Sequence, residues 1–232
     1  MPSTIDTNNT THPYHRQIAV WLLICCPLVF AMVMLGGVTR LTGSGLSMVE
    51  WEPIMGAIPP LSHEEWQDTF QKYQQSPEFE HKNFHMDVDQ FKSIFWFEYS
   101  HRLLGRFIGI VFLIPFLFFM ITKRFERRMI PQLITMFILG GMQGILGWYM
   151  VKSGLVDNPH VSQYRLAAHL GFAFIIYAYI FWAALSLLFP ITNNQSKGGL
   201  RSIARFSVFL VALVYTAVIS GAFVAGLKAG LF

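Results

Sequence analysis

The sequence predicts an all-α integral membrane protein: a four-helix transmembrane bundle plus a fifth span that starts a second repeat. Three observations carry this. Of 232 residues, 53% are hydrophobic and only 13% charged, with mean hydropathy +0.45, far from the composition of soluble chains. Five stretches, about 17–38, 103–122, 130–150, 166–189 and 203–227, each approach the roughly 20 apolar residues that a helix needs to cross a bilayer. Basic residues gather in two short linkers, and nine of the thirteen acidic residues fall within 43–92.

Residues 1–16 form a polar tail. No short apolar region with a small-residue cleavage site precedes the first span, which predicts a retained helix. Cys25 and Cys26 are neighbours within that span and point about 100° apart, so they read as small buried residues, not a disulfide. The loop 43–92 opens with "LTGSGLSMVEWEPIMGAIPPLS". Its Gly, Ser and Pro punctuation, with Trp51 and Met55, predicts an ordered segment lying on the membrane surface. Ser62 followed by Glu65 is a capping-box pattern. Trp66, Phe70 and Tyr73 then recur at helical spacing, predicting a short amphipathic helix that stops by Pro77. "HMDVDQFKSIFWFEYSHR" predicts a helix running unbroken into the second span.

In the third span, "GGMQGILGW" holds Gly140, Gly144 and Gly147. Gly140 and Gly144 form a small-xxx-small pattern suited to close helix approach, and room for a flat macrocycle is equally compatible. Residues 190–202 read as a second basic linker. The fifth span, within 203–232, echoes the first at an offset of 185: Gly36 falls on Gly221, Gly45 on Gly230 and Leu46 on Leu231. Parallel repeats about an axis along the membrane normal are a known membrane-protein device.

Orientation follows from charge. The linker 122–131 carries Lys123, Arg124, Arg127 and Arg128 against Glu126, and 190–202 carries Lys197 and Arg201. By the positive-inside rule these linkers and the N-terminus are cytoplasmic, or on the matrix side, and the acidic loop is outside. The net charge of +4 comes from membrane-flanking residues and does not indicate nucleic acid.

Of eight histidines, only His101 and His169 fall inside spans. Both lie near the outer ends of helices that run in the same direction. A histidine pair at matched depth in a bundle suits bis-axial haem ligation, and intramembrane ionisable residues mark function because burying them is costly. The alternative is two polar bundle residues bonded to neighbouring carbonyls. Arg102 and Arg106 follow His101, and Arg165 precedes His169 by one turn. Arginine forks match the propionates of haem, although interfacial snorkelling explains the same residues. Glu98, one turn outward of His101, could pair with an arginine, orient a histidine, or accept a proton beside a haem edge. No phosphate-binding, serine-hydrolase or paired Cys-x-x-Cys motif is present.

The segments "GGVTRLTGSGLSMVEWEPIMGAIPPL", "EYSHRLLGR", "GGMQGILGWYMVKSGL" and "VSQYRLAAHLGFAF", in this order, resemble the haem A synthase family of mitochondria and many proteobacteria. The resemblance runs from about residue 17 to the C-terminus. It implies eight spans in two four-helix units, and oxidation of a methyl group of haem O to the formyl group of haem A for cytochrome oxidase assembly. It further implies that His101 and His169 hold the substrate haem and that Glu98 is catalytic; Arg102, Arg106 and Arg165 are expected at the propionates from the charge match above. A haem b cofactor is expected on a second histidine pair in spans that this chain lacks, so the chain resembles a truncated member: a haem-binding unit over 17–189 plus a fifth span. Some relatives carry a cysteine pair in the first outer loop, and this loop has none. The implied partners are haem O, membrane lipid, haem O synthase and cytochrome oxidase assembly factors, with a homo-oligomer left open. The implied location is the bacterial cell membrane or the mitochondrial inner membrane. Two other readings compete: a non-catalytic bis-His membrane cytochrome of the b type, and a membrane assembly or scaffold protein.

Overall fold

The computed structural model describes residues 13–50, 55–155, 159–190 and 197–229. Most of the tail, Trp51, most of the basic 190–196 stretch, and the Gly230 and Leu231 positions of the echo lie outside the described residues. Among the described residues six α-helices follow in order: α1 (His15–Leu41), α2 (His63–Gln74), α3 (Val88–Ile121), α4 (Met129–Gly154), α5 (Gln163–Leu188) and α6 (Lys197–Leu227). Five of them, all but α2, are long and apolar enough to cross a membrane.

Local signals set the helix starts. Ser62 accepts from the Glu65 amide at 3.1 Å, and the Glu65 carboxylate accepts from the Ser62 amide at 3.2 Å; this is the anticipated capping box. A second one starts α3, where Asp87 accepts from the Gln90 amide and Gln90 returns the bond. From there α3 runs 34 residues without a break, as the sequence predicts. A π-helical turn at Phe79–Asn83, which no short-range pattern announced, returns the chain towards α3.

Four helices form the bundle. α1 packs against α3 and α5, α4 packs against α5 and more lightly against α3, and the pairs α3/α5 and α1/α4 stand on the diagonals. Trp21 of α1 donates to the Val111 carbonyl of α3 at 2.9 Å. α6 lies outside the bundle on α5, where a Cβ on Gly171 would come within 2.6 Å of Ile219 and 2.8 Å of the Tyr215 hydroxyl. Arg40 of α1 donates to the carbonyls of Ala225 and Gly226 on α6, at 3.2 and 3.1 Å.

Along its axis the bundle has three levels. At the loop end, Phe70 and Tyr73 of α2 pack on Phe91, Phe95 and Tyr99 of α3, with Trp66, Met48 and Val49 against them. At the far end lies a dense apolar core that includes Ile18, Trp21, Leu22, Phe112, Phe116, Phe119, Leu133, Met136, Ile176 and Ile180. The level between is different: no residue of 27–38, 100–111 or 137–153 is buried, and α5 buries only the small Ala167, Gly171 and Ala173 around His169. At 1.5 Å per residue this belt is about 18 Å tall.

Candidate haem-binding site

His101 and His169 both sit in that belt, on the diagonal helices α3 and α5. Each imidazole rests on a glycine of a neighbouring helix. A Cβ on Gly36 of α1 would lie 3.1 Å from His101 Nε2, and one on Gly147 of α4 would lie 2.9 Å from His169 Cε1. The two rings are close enough to act on each other electrostatically. Neither hydrogen-bonds to another described residue, and His169 Nδ1 is buried without a partner. Buried polar nitrogens are normally satisfied, so the carbonyl-bonded alternative raised by the sequence is not what the structure shows.

The glycine reading needs correction. A Cβ on Gly140, Gly141 or Gly144 would meet nothing within 4 Å, so the small-xxx-small pair serves no close helix approach here. The position that matters is Gly147, which admits His169. Beside it, Gln143 Nε2 donates to the His169 carbonyl at 3.0 Å, while its own Oε1 is buried and unpartnered.

Glu98 is 3% exposed and bridges α3 to the first loop. Its Oε2 accepts from the Ser47 hydroxyl at 2.8 Å and the Met48 amide at 2.9 Å. Its Oε1 accepts from Arg102 Nη2 at 2.5 Å and Nε at 3.1 Å. Of the roles open to Glu98, pairing with an arginine is thus the one realised. Arg102 also donates to the carbonyls of Met48 (2.9 Å) and Glu50 (3.3 Å). Arg106 is half-buried one turn deeper and within electrostatic reach of Arg102. Arg165 is separate from both: its guanidinium lies 4.6 Å over the Tyr149 ring of α4.

Arg102 also lines a cleft of about 240 Å³ at the loop end of the α3–α4 seam, together with Met48, Val49, Glu50, Trp148, Val151, Lys152 and Leu155. Lys152, which sequence reasoning passed over, sits 4.9 Å over the Trp148 ring. It has no carboxylate partner among the described residues, whereas Glu50 is paired with Lys72 at 3.2 Å and Glu98 with Arg102. The only hint in the sequence was its place on α4, five residues beyond Gly147.

These residues fit a haem. Among the described residues no group of three or more His, Cys, Asp or Glu side chains could hold a bare metal ion. Two imidazoles at one level of the bundle would instead suit an iron whose other four ligands come with a macrocycle, and such a group would lie in the belt, where α1, α3 and α4 bury no residue.

Fold and site define a polytopic helical membrane protein with a paired-histidine belt. The chain belongs to the COX15-CtaA family, described as cytochrome oxidase assembly protein, whose model matches residues 19–232. It is 57% identical over 216 residues to the heme A synthase of Nitrosospira multiformis, covering 93% of this chain and 61% of that protein. It is 52% identical to the heme A synthase of Nitrosomonas eutropha, covering 99% and 64%, and 50% identical to that of Parvibaculum lavamentivorans, covering 98% and 65%. The chain thus spans less than two thirds of the length of these relatives. No solved structure matches it.

Proposed function

We propose that this chain forms the haem O-binding unit of a haem A synthase, in which a ring methyl group of haem O is oxidised to a formyl group for cytochrome oxidase assembly. The observation that carries the reading is the belt: two imidazoles on diagonal helices, each seated on a glycine, at the level where α1, α3 and α4 bury no residue. The 57% identity to a heme A synthase supports the reaction class. The loop end faces outward, because the basic 122–128 segment lies at the other end. His101 and His169 hold the iron. Arg102, with Arg106 behind it, and Lys152 draw the propionates to the loop end. Arg165 stiffens the α4–α5 wall through Tyr149. Glu98 positions Arg102 and the 47–50 segment, and a proton role requires its Ser47 and Met48 bonds to loosen when substrate enters. A haem b cofactor belongs to a second unit, of which α6 is the first helix.

A second reading, a non-catalytic membrane cytochrome, is favoured by one feature: all four hydrogen bonds of Glu98 go to groups that fix it. Haem extraction separates the two. Cells that make haem O would express this chain, and in parallel this chain completed by the C-terminal third of the Nitrosospira relative. Haem A or a hydroxylated haem O in the extracts supports the synthase. Haem O recovered unchanged from both, although bound, leaves the cytochrome. Glu98→Gln in the completed protein should keep haem O bound and lower its conversion.

A further inference from the structure

We infer that Gln143 is the residue that distinguishes haem O from haem B, by accepting a hydrogen bond from the hydroxyl group that haem O carries and haem B lacks. This rests on the haem O reading above. The orientation of the Gln143 amide is fixed by its own contacts: the NH2 group donates to the His169 carbonyl, a place where the amide oxygen would be repelled. That leaves Oε1 as a buried acceptor with no donor. An unsatisfied buried acceptor costs about as much as a lost hydrogen bond, and a donor on a bound ligand would remove that cost.

The chemistry selects that donor. Haem B presents vinyl, methyl and propionate groups around its ring, and the propionates are ionised acceptors. Haem O replaces one vinyl with a hydroxyethylfarnesyl group, whose hydroxyl is the single neutral donor on its periphery. Position agrees with chemistry. Gln143 lies one turn, about 6 Å, from Gly147 towards the far end, and Lys152 lies on the opposite side of Gly147, towards the loop end. A haem whose propionates meet Arg102 and Lys152 turns its opposite edge, which bears the hydroxyl, to the level of Gln143. A macrocycle held between the diagonal helices α3 and α5 also presents its rim to α4.

The test is equilibrium titration of the full chain in detergent, read from the Soret band, with haem O, haem B and the dehydration product of haem O, in which the hydroxyl has left as water and an alkene remains. Wild type should bind haem O about tenfold more tightly than the dehydrated form, which keeps the apolar tail. Gln143→Met should erase that tenfold ratio while leaving haem B affinity and its low-spin spectrum in place, so haem B serves as the control for folding. Equal affinity of wild type for haem O and its dehydrated form overturns the inference and leaves the haem site standing. A loss in Gln143→Met that is equal for all three haems also overturns it, making Gln143 a structural support of α5. If wild type binds none of the three, the haem O reading fails and this inference with it.

Discussion

The belt around His101 and His169 and the core at the far end are built from the same four helices, yet they are packed in opposite ways. In the core, Phe112, Phe116 and Phe119 of α3 interleave with Trp21 and Leu22 of α1 and with Leu133 and Met136 of α4. In the belt, α1, α3 and α4 present Gly36, Gly105 and Gly147 and bury nothing over 27–38, 100–111 and 137–153, while α5 buries only the small Ala167, Gly171 and Ala173 around His169. The core makes the bundle stable and the belt keeps it open. A bundle packed to its full height would hold together equally well and have no room between its histidines.

Attacking the core gives the largest expected effect. Phe116→Ala, at an 8% exposed position, should lower stability by about 3–5 kcal/mol, seen as a drop in melting temperature in detergent. The haem affinity of the protein that remains folded should barely change. Filling the belt should do the reverse. Gly147→Leu puts a side chain where even a Cβ stands 2.9 Å from His169; haem affinity should fall about a hundredfold, with a stability loss of about 1–3 kcal/mol, smaller than that of Phe116→Ala. A loss of stability in Gly147→Leu as large as that of Phe116→Ala, with haem affinity kept, would mean that the contrast between belt and core is false.

A smaller effect belongs to the cap above the belt. Burial pushes the Glu78 carboxyl up from its ordinary 4.5 to about 7, against the pull of Lys82. The folded protein then holds a proton that the unfolded chain has already released between those two values. Stability should fall as pH rises through that window and level off above about 7. Glu78→Gln should flatten this part of the melting temperature profile. A profile unchanged by Glu78→Gln would show that the Glu78–Tyr73 contact is open to water.

What the sequence made legible is what local chemistry decides. The Ser62 cap sits three residues from its partner Glu65, and the five spans follow from apolar length alone. The histidine pair and Arg102 were readable because ionisable groups in spans are rare. The belt was not readable, since an apolar side chain looks the same whether it packs on protein or faces an opening. Gly140, Gly144 and Gly147 share one motif, and only tertiary packing singles out the last. The bonds from Ser47 and Met48 to Glu98 join residues about fifty positions apart, and no pattern within one helix encodes that pairing.

If one haem iron is held by an imidazole from each of two diagonal helices, its spin state depends on both. The most direct measurement is the electron paramagnetic resonance spectrum of the purified ferric, haem-loaded chain, recorded for wild type, His101→Ala and His169→Ala. Wild type should give a low-spin bis-imidazole signal that converts to high spin in each single variant. A low-spin signal that survives either substitution would contradict it.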